Sequence, residues 1–211
     1  MGKKTTNDWG DQLGNYFGDW KGNLGGKIKV ALGDCTLTFT GVNGLQDNAL
    51  MGFFDPQSQS ILVSLRLEAG GVDPATDRKI LRYSYRLPGT LVAPVWLRNE
   101  EPAEGIAADW GKQADDFLGS WTDGSGGRIV IRKNRVTFTH LAPVRDGTYQ
   151  AEHSETVRAI FVFFIFQADA DEAGKKTIRY DPPVRLLGAG GSSRAADDPT
   201  ETEVYEEEEG P

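Results

Sequence analysis

Short runs of alternating apolar and polar residues dominate the chain. Ile28, Val30 and Leu32 share one face of an expected strand; after a turn at Gly33-Asp34, Cys35, Leu37 and Phe39 alternate with Thr36, Thr38 and Thr40. This predicts a hairpin with one apolar and one polar face. Ile61, Val63, Leu65 and Leu67 predict a further one-sided strand, as do Leu81, Tyr83, Tyr85 and Leu87. The hairpin pattern returns with Ile129 and Ile131, a turn near Asn134, and then Val136, Phe138 and His140. Ahead of each hairpin the period lengthens. Trp9, Leu13, Tyr16 and Phe17 fall on one face of a helix, and so do Trp110, Ala114, Phe117 and Leu118, with Gly18 and Gly119 placed to stop them.

The two series are copies of one pattern. Asp8-Trp9-Gly10 returns as Asp109-Trp110-Gly111, and at the same offset of 101 Gln12, Gly18, Trp20, Gly25-Gly26, Ile28, Thr36 and Thr38 find identical partners. Ile61-Leu62-Val63 then resembles Ile160-Phe161-Val162, and Lys79–Tyr83 resembles Lys176–Tyr180. The period is too long for a solenoid and predicts duplication of a small domain or of half a domain. The expected organisation is an N-terminal arm (1–7), a first β module (8–98), a polar linker (99–108), a second β module (109–190) and a disordered acidic tail (191–211). Each module is expected to hold a short N-terminal helix and about five or six antiparallel strands. The fold class is all-β, mainly antiparallel, as a tandem pair of small β-barrel or curved-sheet modules.

One strand breaks the alternation. Phe161, Phe163 and Ile165 stand where the first module has Leu62, Ser64 and Arg66, so Ile160–Phe166 is apolar on both faces. Burying three such side chains is worth roughly 1.5–3 kcal/mol each. Left open, the face is an aggregation hazard. It calls for a cover: the first module, a second copy of the chain, or a protein partner. Phe161, Phe163 and Ile165 are therefore the partner-binding candidates.

Charge narrows the partners. The net charge is −8, yet residues 192–211 hold eight acids against Arg194, so the body is close to neutral. A neutral body offers no basic stripe for nucleic acid. The longest apolar run, Ala159–Phe166, is too short for a bilayer-spanning helix, so no membrane partner is expected. Cys35 is the single cysteine, which excludes an intramolecular disulfide, and a soluble cytoplasmic protein is the expectation. The acidic composition of the tail predicts disorder, with solubilisation or docking on a basic partner as its roles.

Phe117-Leu118-Gly119-Ser120-Trp121-Thr122, and similarly Tyr16-Phe17-Gly18-Asp19-Trp20-Lys21, resembles the opening of calycins, the group of lipocalins, fatty-acid-binding proteins and avidins. In those families a short helix leads into a Gly-x-Trp whose indole plugs one end of a barrel. The resemblance implies that Trp20 and Trp121 fill the barrel ends and that Arg82 and Arg179 stack on them through cation–π contacts. It also implies a small apolar ligand in the barrel.

Reactive chemistry is sparse. His140 continues the apolar alternation and is read as lining a barrel or ending a strand. His153 has no second His or Cys at metal-ligand spacing, and Asp169–Gly174 lacks the closing Glu of a calcium loop. No nucleophile elbow, phosphate loop or dinucleotide fingerprint occurs, so no catalytic residue, metal or cofactor is assigned. Asp55 and Glu68 are carboxylates available to an enzyme, without a spacing that compels one. The leading expectation is a non-enzymatic binding protein holding a small apolar ligand, with Trp20, Arg82, Trp121, Arg179 and His140 as candidate ligand contacts. The alternative is a structural or protein-interaction module without a small-molecule ligand, using strand 160–166 and the acidic tail.

Overall fold

A computed structural model describes residues 8–89, 94–102, 105, 109–183 and 202–208. They form an all-β, antiparallel structure of sixteen strands. The first eight are β1 (Gly18–Gly22), β2 (Lys27–Val30), β3 (Thr36–Thr40), β4 (Asn48–Met51), β5 (Phe53–Asp55), β6 (Ser60–Asp73), β7 (Arg78–Ser84) and β8 (Val95–Asn99). The second eight are β9 (Gly119–Thr122), β10 (Arg128–Arg132), β11 (Arg135–Thr139), β12 (Gly147–Gln150), β13 (Glu152–Ser154), β14 (Ala159–Ala170), β15 (Lys176–Tyr180) and β16 (Glu203–Glu207).

The hydrogen-bonded path runs β12-β11-β10-β9-β8-β7-β6-β14-β15-β16-β1-β2-β3-β4, and its two ends do not pair with each other. Its centre is the ribbon of β6 and β14, paired from Ser60↔Gln167 to Glu68↔Ala159. The free edge of β6 takes β5 at residues 60–62 and β7 from residue 66 onward. The free edge of β14 takes β13 at residues 159–161 and β15 from residue 166. Strand partnership thus crosses the sequence halves: β9 pairs with β8, and β16 pairs with β1. Opposite the ribbon the loops after β3 and β11 meet, with Leu45 bridged to Val144, and Gln46 and Arg145 donating backbone N–H groups to Pro143 and Gly44.

Alternation decides what lies inside. Ile61, Val63, Leu65 and Leu67 of β6, with Ile160, Val162, Phe164 and Phe166 of β14, are buried in one core that spans both halves. Trp20, Trp121, Tyr16, Tyr83, Tyr149, Tyr180, Phe39 and Phe138 fill it.

Four sequence expectations change. The opening helices are 3-10 turns only four residues long, Asp8–Asp11, Leu13–Tyr16 and Ala114–Phe117. So few residues cannot repay helix nucleation, and the aromatic side chains of the turns are held by tertiary contacts instead. Leu32 leaves the strand face: β2 ends at Val30, and Leu32 is 81% exposed in the turn. Each half carries eight strands rather than five or six, because β5 and β13 are three residues long, too short for alternation to register. The tail, expected to be disordered, contributes β16. That strand sits between β15 and β1, with Glu203 and Tyr205 buried and its backbone paired on both edges. Composition hid it because Glu206 and Glu207 are exposed while Glu203 turns inward. The arm 1–7, half of the linker and residues 184–201 lie outside the described residues.

Candidate functional site

The four repeated tryptophans make two matching stacks. Trp9 lies on Trp20 with centroids 5.6 Å apart and planes 19° apart; Trp110 lies on Trp121 at 5.5 Å and 20°. The inner indoles donate to backbone carbonyls in the preceding turn, Trp20 to Tyr16 at 2.8 Å and Trp121 to Phe117 at 3.0 Å. The cations expected on them sit elsewhere. Arg82 lies over Trp96 at 6.0 Å and pairs with Glu68, and Arg179 forms an exposed pair with Asp181 at 2.6 Å. Both point to the outer face, since Leu81, Tyr83, Ile178 and Tyr180 take the inward positions of their strands. The cations that do face the stacks are Lys79, 5.1 Å from the Trp110 ring, and Lys176, 5.7 Å from the Trp9 ring. Burial holds the Lys79 ammonium below the usual lysine range. His140 ends its strand at φ 52° with its ring in solvent and does not line the interior; its backbone N–H donates to Asp146 at 2.7 Å.

The partner-binding candidates come together. Phe161, Phe163 and Ile165 stand on the outer face of β14, beside Arg66, Ser64 and Leu62 of β6. Phe53 of β5 pairs opposite Leu62, so Phe53, Leu62 and Ile165 form one apolar row across three strands. The Phe161 and Phe163 rings stack nearly parallel, with centroids 5.6 Å apart and an 8° interplanar angle. The first half covers this face only in part: the Arg66 guanidinium lies 5.9 Å from the Phe161 centroid, while Ile165 is 43% and Phe53 65% exposed.

Where β13 and β15 diverge along the edge of β14, a cleft of about 380 Å³ opens. Phe161, Phe163 and Ile165 line its apolar part. Asn134, Gln150, Glu152 and Asp181 supply polar groups, and Ala151, Pro182 and Pro183 complete the lining. The volume lies within the range of clefts that take a small molecule or a few side chains. The polar lining residues come from three separate stretches of chain, at 134, 150–152 and 181, so no local motif could have announced them; only the outward apolar triplet was readable from sequence.

Among the described residues no group of three or more His, Cys, Asp or Glu side chains is placed to hold a metal ion. Nor is any helix there long and apolar enough to cross a membrane. Asp55 has its carboxyl held below the ordinary range by hydrogen bonds from Ser58 and Gln57, and Glu68 is engaged by Arg66 and Arg82. Comparison with protein-family models, curated proteins and solved structures finds no match to this chain.

Proposed function

We propose that the chain is a non-enzymatic protein-interaction module, docking an extended apolar segment of a protein partner in the cleft over Phe161, Phe163 and Ile165. The observation that carries this reading is the apolar floor of that cleft, with Ile165 exposed and Phe161 and Phe163 half-buried. A soluble surface rarely leaves two stacked phenyl rings, an isoleucine and a neighbouring phenylalanine contiguous without a binding role. Carboxylates at the rim, Glu152 and Asp181, suit a segment that carries a basic residue rather than an acidic one. The interior argues for the same choice. Fully buried aromatic side chains occupy the inward positions where a held apolar ligand would sit, so binding capacity is assigned to the outside.

The architecture behind the site is read as an internal duplication of a curled, barrel-like unit of calycin type. Support comes from the same series of eight strands in each half, the matching tryptophan stacks, and the Gly-x-Trp at the entry of β1 and β9. In each half a short strand follows the outermost strand of the path after one residue and returns to the ribbon, β5 to β6 and β13 to β14. That return would bend each half toward a barrel.

Selection of displayed random dodecapeptides on the immobilised protein, counter-selected on the Phe163→Glu variant, tests the docking reading. The expected yield is sequences with alternating apolar residues that bind the wild type at micromolar concentration and lose at least tenfold on Phe163→Glu. Recovery only of peptides that bind both proteins equally would put the contact elsewhere and sink the reading.

A further inference from the structure

The two halves treat corresponding edges differently. Ala151 donates its backbone N–H to the carbonyl of Asn134, which belongs to the turn between β10 and β11, at 2.8 Å, as Gly52 donates to Cys35 in the first half at 2.9 Å. N–H directions alternate along a strand, so the N–H of Gln150 points away from β11, as that of Met51 points away from β3. In the first half that outward donor is used: Met51 N–H reaches the carbonyl of Arg86 at 3.0 Å. The chain after β7 thus runs along the outer edge of β4, with Tyr85 and Leu87 packed on the core. In the second half the corresponding residues after β15 are Asp181, Pro182 and Pro183. Among the described residues the N–H of Gln150 finds no acceptor, and it faces the cleft that Gln150 lines.

We infer that this cleft is a strand-acceptor site: an extended peptide from a protein partner pairs with the outer edge of β12 and lays alternate side chains on Phe161 and Phe163. The inference rests on the docking reading above and names its mode. Three observations converge on an extended peptide. The chain itself places such a segment, Tyr85-Arg86-Leu87, along the corresponding edge of the other half. An edge with an unused outward donor is a template for strand addition. Pro182 and Pro183, which also line the cleft, have no backbone N–H, so neither can donate to the incoming strand as the β12 edge can.

The test uses the full chain and a capped hexapeptide copying residues 83–88, Tyr-Ser-Tyr-Arg-Leu-Pro. Proton–nitrogen NMR follows the Gln150 and Thr148 amides during titration. Saturable binding with shifts at β12 and at least tenfold slower exchange of the Gln150 amide is expected. Gln150→Pro deletes the donor at an exposed edge, where proline is tolerated. It should weaken the peptide at least tenfold while circular dichroism and the melting temperature stay close to wild type. If Gln150→Pro binds as wild type while Phe163→Glu fails, strand addition is overturned and the docking reading survives. Loss on Gln150→Pro with none on Phe163→Glu keeps strand addition and removes the aromatic floor. No binding of the hexapeptide, or concentration-dependent protection of Gln150 without it, overturns the inference, the latter because a second copy is then the occupant.

Discussion

Trp110 donates its indole N–H to the carbonyl of Gly71 at 2.7 Å, tying the start of the second half to the central strand of the first. Trp9 makes the reciprocal bond to Asp169 of β14, also at 2.7 Å. Each half therefore closes on the other half's long strand, and one core spans both.

The first prediction follows from that exchange. Trp110→Phe keeps an aromatic ring against Trp121 and leaves the Gly71 carbonyl without its donor. The expected loss is about 1–2 kcal/mol in urea unfolding, with a single transition. Two resolved transitions, in wild type or variant, would show that the halves are independent and that the cross-bonds are incidental.

The second concerns β16. Tyr205 is fully buried and donates its hydroxyl to the buried Glu203 carboxylate, whose other oxygen accepts from the backbone N–H of Asn43 at 3.2 Å. Tyr205→Ala removes a core aromatic and one partner of a buried carboxylate, and should cost about 3–5 kcal/mol. Deleting residues 202–211 should do at least as much harm, since it also leaves β1 and β15 without the strand between them. A truncated chain with unchanged melting temperature and solubility would contradict this placement.

These two sites mark where the sequence was legible and where it was not. Period-two alternation identified the inward residues of β3, β6 and β7, because burial on one face imposes that period. It could not say that β9 would pair with β8 or β16 with β1, because pairing edges carry no periodicity. In β16 only Glu203 and Tyr205 face inward, and one of the two is an acid, so a five-residue strand looked like solvated tail. The helical spacing of Trp9, Leu13, Tyr16 and Phe17 arose from aromatic contacts to a core, with Trp9 4.8 Å from Tyr16, rather than from an α-helix. At the candidate site the outward triplet Phe161, Phe163 and Ile165 was visible because it violates alternation. The cleft beside it depends on where β13 and β15 part, which only tertiary structure fixes.

The third prediction uses a difference between the halves. Gly52 and Ala151 both follow the outer strand of the path and hold matching backbone bonds, yet a Cβ at Gly52 would fall 2.5 Å from Ile61 Cγ2 and 3.0 Å from Leu37 Cδ1. Gly52→Ala should cost about 1–3 kcal/mol by overpacking, in spite of the glycine's greater unfolded-state freedom. The same Ala side chain is native at position 151. A stabilising Gly52→Ala, read by thermal denaturation, would mean that this edge of the core yields more easily than the contacts imply.

The last prediction concerns pH. Burial first, and the neighbouring Asp34 carboxylate second, push the Cys35 thiol up to about 11, against its ordinary 9.0. The folded chain then holds this proton over a range where the unfolded chain releases it. The unfolded state binds fewer protons between those values, so stability is intact below pH 9 and falls as pH rises toward 11. Tyr16, Tyr83, Tyr180 and Tyr205, all raised mainly by burial, act in the same sense at higher pH. Cys35→Ala isolates the thiol: its urea midpoint should fall less steeply than that of wild type between pH 9 and 11, the window between the unfolded and folded thiol values. In native wild type at pH 8, an aromatic disulfide reagent should label Cys35 only at the rate of unfolding. Rapid labelling there, or parallel pH profiles for the two proteins, would show a thiolate accessible in the folded state and remove the cysteine as a source of alkaline instability.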